Sequence, residues 1–468
     1  MNAHNVHSIS IPLLATLADR ASVLSVAFHP TANPPLLATG SNDKTVNLWQ
    51  LSRDNSSATC VATLAGYSGP VSSVAFHPTA NPPLLATGSD AVNLWQLSHD
   101  NSSATCVATL EGHWGSVRSV AFHPTANPPL LATGSDDYTV RLWLLSSNNS
   151  SATCVATLDG HSSFVNSVAF HPTANPPLLA TGSADSTVRL WLLSSDNSSA
   201  TRVTTLEGHR SRVTCIAFHP TANPPLLATG STDMTVRLWL LSSNNSSATH
   251  VATLHKKTEG KINWIRTVAF HPTEPLLAIG SADTVNLWLL SSDNSSATCV
   301  ATLEGHSDWV KSVSFHPTAP LLATGSWDKT VKLWDCRPLT NRGQLAIARR
   351  GFTALPALLA RKLGHNSSVH PIFDNGMKKI LAATRGKSLD QMFESTVADR
   401  VMQHLNHLSR SRAPSMPVTI PRFSLLTLPN GSPKSPKSPK SPKGSKGGSR
   451  RRKSNKAKTL KIKNKNNR

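Results

Sequence analysis

The sequence predicts an all-β protein made by repeating one four-strand unit. Three observations predict it. The phrase AFHP or SFHP recurs seven times, with its aromatic at Phe28, Phe76, Phe122, Phe170, Phe218, Phe270 and Phe315. The phrase LW recurs seven times, with its indole at Trp49, Trp95, Trp143, Trp191, Trp239, Trp288 and Trp334. The Trp spacings are 46, 48, 48, 48, 49 and 46 residues. A fixed period of this length marks stacked or radial copies of a supersecondary unit, none of which buries its apolar face alone.

Each unit reads in the same order. An apolar SVAF run is followed by the turn HPTANPP, shortened to HPTEP and HPTAP in the last two copies, and Pro then opens a second apolar run, LLATG. The Gly ends that run, since Gly and Pro are the strongest local punctuators. A tight SxDxT turn leads into TVxLW, a polar SSxNSSAT loop follows, and CVATL closes the unit. Each run is short, rich in β-branched residues and bounded by turn formers, which is the pattern of strands.

With its Gly-Ser, Asp, Thr-Val and Leu-Trp elements, the repeat resembles the WD40 family over residues 8–337. Four copies also open with the family's Gly-His, at His113, His161, His209 and His306. The resemblance implies a seven-bladed β-propeller, with four-stranded blades around a central channel. The strand count then predicts how the ring closes. After Trp334 the chain leaves the pattern at Asp335-Cys336-Arg337-Pro338, so the seventh copy lacks a CVATL strand. Leu13-Leu14-Ala15-Thr16-Leu17 aligns with Cys60-Val61-Ala62-Thr63-Leu64, so the first strand is expected to complete the last blade. Closure of this kind covers the edge that the third strand of the last blade would otherwise present.

The resemblance also implies a hydrogen-bonded set inside each regular blade. Carried over, the sets are His113, Thr133, Asp137 and Trp143; His161, Thr181, Asp185 and Trp191; His209, Thr229, Asp233 and Trp239; and His306, Thr324, Asp328 and Trp334. Indole N–H donates, hydroxyl donates and accepts, carboxylate accepts, so the four can form a satisfied chain. A His/Asp/Thr set could suggest a nucleophile, but it recurs blade after blade beside an apolar Trp, so a structural role is expected and no catalytic residue is assigned. Three copies depart: Ala18-Asp19-Arg20 replaces Gly-His in blade 1, Tyr67 replaces His in blade 2, and blade 6 has Lys261 for His and Ile279 for Thr. These are expected to be the looser blades. The Asp after the repeat Trp occurs once, at Asp335.

Seven His follow the repeat Phe, at His29, His77, His123, His171, His219, His271 and His316. Equivalent points in adjacent blades are about 10 Å or more apart, too far for one metal ion. These His are therefore expected to face solvent in turns, with no metal and no cofactor. Cys60, Cys106, Cys154 and Cys299 share one outer-strand position, and equivalent positions in different blades lie beyond disulfide reach. With Cys215 and Cys336 they read as free thiols of a reducing, intracellular compartment. The stretch 9–17 is preceded by no Lys or Arg, so no secretory signal is expected there, and the Asn-Ser-Ser sequons read as loop turns. No apolar run reaches the ~18–20 residues that span a bilayer.

The copies differ where a partner would bind. The HPTANPP and NSSAT loops are nearly constant, and the resemblance places them on the bottom rim. The loops assigned to the top rim vary, and there aromatics and Arg are the usual anchors of an interface. The expected contacts with a protein or peptide are Trp114, Phe164, Arg210, Arg212, Trp264, Trp309 and Trp327. Drift of duplicated loops is the competing explanation. Trp334-Asp335-Cys336-Arg337 also fits the WDxR pattern of WD40 substrate receptors of cullin–RING ubiquitin ligases, a short signal that occurs once.

The formal charge of the 468 residues is +21, and it is uneven. Residues 431–468 hold 15 Lys and Arg and no acid, which leaves the first 430 at +6. The segment 430–468 repeats Ser-Pro-Lys, like the tails of linker histones, and is expected to be disordered. Lys434, Lys437, Lys440, Lys443, Arg450, Arg451, Arg452 and Lys453 read as a nucleic-acid or nuclear-import patch, hence an expected nuclear location; a solubilising tail is the plainer alternative. Between these parts, 338–429 reads as a partly helical extension, with an amphipathic helix over 389–409, a poorer one over 345–363, and a decayed eighth repeat as the rival. The function expected is a non-enzymatic, monomeric interaction scaffold. The alternatives are a chromatin-associated protein acting through its tail, or a ubiquitin-ligase receptor.

Overall fold

In the computed structural model, residues 9–255 and 262–339 are described. They contain 28 strands, from β1 (Leu13–Ala18) to β28 (Thr330–Asp335), in seven four-stranded antiparallel sheets. Blade 1 comprises β2 (Val23–Phe28), β3 (Leu36–Ser41), β4 (Val46–Leu51) and β5 (Ala58–Leu64), hydrogen-bonded in that order. Blades 2–6 repeat this meander. Blade 7 takes its outer strand from the start of the chain: β1 pairs with β28, with Ala15 opposite Leu333, Thr16 opposite Lys332 and Leu17 opposite Val331. The fold is a closed seven-bladed β-propeller.

The burial pattern follows from radial stacking. The second strand of each blade, such as Leu130–Ser135, is buried at every position because neighbouring blades cover both its faces, so it does not alternate. The outer strand, such as Ala152–Leu158, is mostly half-buried or exposed. The core is accordingly divided among the seams. Leu130, Ala132, Val140 and Leu142 of blade 3 pack on Val165, Val168 and Phe170 of blade 4. Close approach at the seams explains the repeat Gly: a Cβ on Gly134 would lie 2.7 Å from Val165 Cγ1.

Two rings of contacts, one polar and one aromatic, also cross the seams. On the inner strands, Ser25, Ser73, Ser119, Ser167, Thr267 and Ser312 each accept, through the side-chain oxygen, a backbone N–H of the next blade at 3.0–3.2 Å. At the seam between blades 5 and 6 the equivalent residue is Cys215, and no such bond forms to Val268.

The second ring corrects an expectation. The His after each repeat Phe does not face solvent. His29, His77, His123, His171, His271 and His316 are buried, and His219 is half-buried. Each packs against the repeat Phe of the next blade, His123 against Phe170 and His316 back against Phe28, with ring centroids 4.9–5.0 Å apart. Nδ1 accepts two backbone N–H groups of its own turn, for example those of Thr125 and Ala126 at 3.2 and 2.9 Å from His123. Burial pushes all seven imidazoles below their ordinary pKa, His271 to about 4. Among the described residues no group of three or more His, Cys, Asp or Glu could hold a metal ion.

Candidate functional site at the channel mouth

Within a regular blade the Trp, Thr, His and Asp form a single chain. Trp143 Nε1–H donates to Thr133 Oγ1 at 2.9 Å, His113 Nε2 lies 2.7 Å from that hydroxyl, and His113 Nδ1 lies 2.7 Å from Asp137 Oδ2. Since the indole only donates and the carboxylate only accepts, the hydroxyl donates to Nε2 and Nδ1–H donates to Asp137. Burial acts to raise the Asp137 pKa, but hydrogen bonds from His113, Thr139 and the Trp114 N–H outweigh it and hold the carboxyl at about 2. The same chain recurs, with distances of 2.7–3.0 Å, for His161, Asp185, Thr181 and Trp191, for His209, Asp233, Thr229 and Trp239, and for His306, Asp328, Thr324 and Trp334. These chains stiffen the turns that carry the rim.

The departing blades improvise. In blade 2 Tyr67 Oη–H donates to Thr87 Oγ1 at 3.0 Å, and Trp95 Nε1–H donates to the same oxygen at 3.2 Å. In blade 1 Asp19 Oδ2 accepts from Thr39 at 3.3 Å and from Asn47 at 3.2 Å. In blade 6 Ile279 offers Trp288 no hydroxyl, and a small void of about 10 Å³ lies beside the two.

A cavity of about 980 Å³ opens at one end of the channel. Three tiers of residues line it. The lowest is the second residue of the V-x-S-V motif: Leu24, Ser72, Arg118, Asn166, Thr214, Arg266 and Lys311. In six blades the ladder register shifts at this residue, for example between Val117 and Ser119. A bulged residue is left out of the pairing and re-aimed, here into the cavity. Above it come Ser22, Pro70, Ser116, Phe164, Arg212 and Trp264 from the loops entering the inner strands, with Asn42, Thr232 and Trp327 from the turns after the second strands.

Charge and aromatic rings gather on one side. Trp264 and Trp309 have centroids 5.1 Å apart, and Trp309 and Trp327 6.3 Å apart. The Arg266 guanidinium lies 5.2 Å from the Trp264 centroid and 4.8 Å from that of Trp309; Lys311 Nζ lies 5.1 Å from that of Trp327. Both are cation–π distances. Arg118 donates to both oxygens of Asp136 at 2.7 Å and lies 6.0 Å from the Phe164 centroid. Burial, then the charges of Arg266 and Arg118, push the Lys311 ammonium down to about 8. Burial, reinforced by Arg212, also lowers Arg266.

Of the residues expected to contact a partner, Phe164, Arg212, Trp264 and Trp327 line this cavity, and Trp309 sits between two of the indoles. Trp114, 93% exposed, and Arg210 do not line it; their backbone N–H groups donate to Asp137 and Asp233. The sequence reading missed Arg118, Asn166, Arg266 and Lys311. A signal was present: within V-x-S-V the position x changes in every copy but one pair, while its neighbours hardly change. Arg337 donates its Nε–H to Asp335 Oδ2 at 2.8 Å, so the WDxR arginine is folded onto its own aspartate. The tail residues Lys434, Lys437, Lys440, Lys443, Arg450, Arg451, Arg452 and Lys453, and the helices read over 345–363 and 389–409, lie outside the described residues.

Closed ring, repeating Trp–Thr–His–Asp chain and open mouth define a propeller of the repeat class. The family described as WD domain, G-beta repeat matches residues 12–50, 58–92, 104–143, 152–191, 200–239, 250–288 and 297–335, more than half of the sequence. The chain belongs to the WD40 repeat family. A search of the curated proteins found no match to it.

Proposed function

We propose that the protein is a non-catalytic scaffold that docks a protein partner at the channel mouth. One observation carries this reading. The blades are near copies, yet the positions that line the 980 Å³ cavity are those that differ among them. The bottom turns, at the other end of the same strands, stay nearly constant. A volume at the upper end of small-ligand pockets takes a peptide segment of a few residues, with Ser72 and Asn42 of the lining placed to meet its backbone. The test is affinity capture with the full chain and with an Arg212→Ala, Trp327→Ala variant. Loss of the partners in the variant supports mouth docking, and undiminished capture of every partner removes it.

The segment 431–468 is proposed as a second element, tethering the scaffold to nucleic acid and directing it to the nucleus. Its 15 positive charges and absence of acid support this. Neutralising ~6–8 phosphates would give a salt slope of roughly −5 to −7. Deleting 431–468 should abolish salt-sensitive DNA binding, and unchanged retention on heparin would contradict the tether.

A further inference from the structure

We propose that the partner segment taken at the channel mouth is acidic, its carboxylates held by Arg266 and Lys311 with Arg212 and Arg118 around them; this rests on the docking role above and names its chemistry.

Among the described residues the lining holds four cationic side chains and no carboxylate. Asp136, just beside it, answers only Arg118, which leaves Arg212, Arg266 and Lys311 without a matching acid among the described residues of the lining. Arg266 Nε is buried and has no hydrogen-bond partner. The same holds for Arg141, Arg189 and Arg237 away from the mouth; what sets Arg266 apart is its place in the cavity lining, as a guanidinium whose fork fits a carboxylate. The Arg118–Asp136 pair already shows such a two-point contact at this rim, with both N···O distances 2.7 Å.

The geometry also separates an acidic peptide from other anions. Single-stranded nucleic acid is held by stacking bases on open aromatic faces. Here Trp264, Trp309 and Trp327 are tilted against one another, and each already carries Arg266 or Lys311 over a face. The indoles clamp cations in place, where a base would need a free ring. The chain's own tail is excluded as occupant by sign, since 431–468 is wholly basic. Small hydroxyl and amide side chains on blades 1–4 of the same cavity suit peptide backbone groups.

The experiment uses the full chain and a heptaglutamate peptide carrying a benzophenone photocrosslinker, with crosslinks mapped by mass spectrometry so that mouth and tail are read separately. Crosslinks are expected within 264–327, falling at least about tenfold in an Arg266→Gln, Lys311→Met variant and absent with heptaglutamine. If that variant fails to fold, Arg118→Gln with Arg212→Gln, both on exposed side chains, is expected to lower the same yield. Crosslinks confined to 431–468, or a mouth yield unchanged in a folded variant, overturn the proposal. Displacement by oligouridylate at lower concentration than by free heptaglutamate reassigns the mouth to single-stranded nucleic acid, and displacement by inorganic phosphate alone reassigns it to the free ion. Equal crosslinking of heptaglutamine refutes the charge preference while leaving mouth docking itself standing.

Discussion

Ser167 Oγ accepts the backbone N–H of Ile216 at 3.1 Å, across the seam between blades 4 and 5. The hydroxyl belongs to one blade and the amide to the next, so the bond resists separation of the two. Five other seams have the same bond, and the seam after Cys215 does not. A buried thiol is a poor acceptor, and burial pushes this one up to about 12, so it is no nucleophile either.

Cys215→Ser should therefore stabilise the ring, by about 0.5–1.5 kcal/mol for one net hydrogen bond. Ser167→Ala should cost about as much. Urea unfolding midpoints measure both, with m unchanged. A lower midpoint for Cys215→Ser would show that the seam is limited by packing.

Stability should fall with acid in a particular window. The seam His have folded pKa values below the ordinary 6.5, so between pH 6.5 and the folded value the unfolded chain binds more protons. Their contribution is complete above about pH 6.5 and declines as pH falls, down to about 4 for His271. The sign follows from linkage. Thermal melts from pH 7.5 to 4 should show this slope, and a midpoint that holds level across that range contradicts it.

The three departing blades should exchange their amides fastest. Blade 6 is the sharpest case, because Ile279 replaces the hydroxyl that accepts the indole N–H elsewhere. Thr133→Val in blade 3 removes that acceptor and leaves Trp143 Nε1–H and His113 Nε2 without their partner, which should cost about 1–3 kcal/mol. Hydrogen exchange showing blades 1, 2 and 6 as protected as blades 3–5 would refute the ranking.

Binding of an acidic segment at the mouth should weaken between pH 7 and 9. Lys311 faces Arg266, Arg118 and Cys215, and its ammonium loses its proton near 8. A bound carboxylate favours the charged form, so affinity drops as the free site deprotonates, by up to about tenfold. The mouth crosslink yield reports it, and Lys311→Met should flatten the profile.

Much of this molecule was legible in its sequence. The strand order and the closing partner of β28 followed from counting repeats, because each strand is bounded by Pro, Gly or Asn and turn chemistry is local. The seam His were misread for the opposite reason. His123 sits amid turn residues, and the ring that covers it, Phe170, comes a full repeat later. The mouth cations were missed because Arg118 and Lys311 occupy the slot of a strand where polar residues normally face water. In these blades the bulge, a feature of pairing between strands, turns that slot inward.

The pairing of β1 with β28 has a mechanical consequence. A pull on the two ends of the propeller loads the β1–β28 pair together with the Ile9 N–H bond to the Val300 carbonyl, which ties the entering chain to blade 6. β1 is also the least buried lane of its sheet, so it peels first. The vacated edge of β28 would then accept the same strand from a second molecule, and rings opened by force or mild denaturant should reclose as exchanged pairs when crowded.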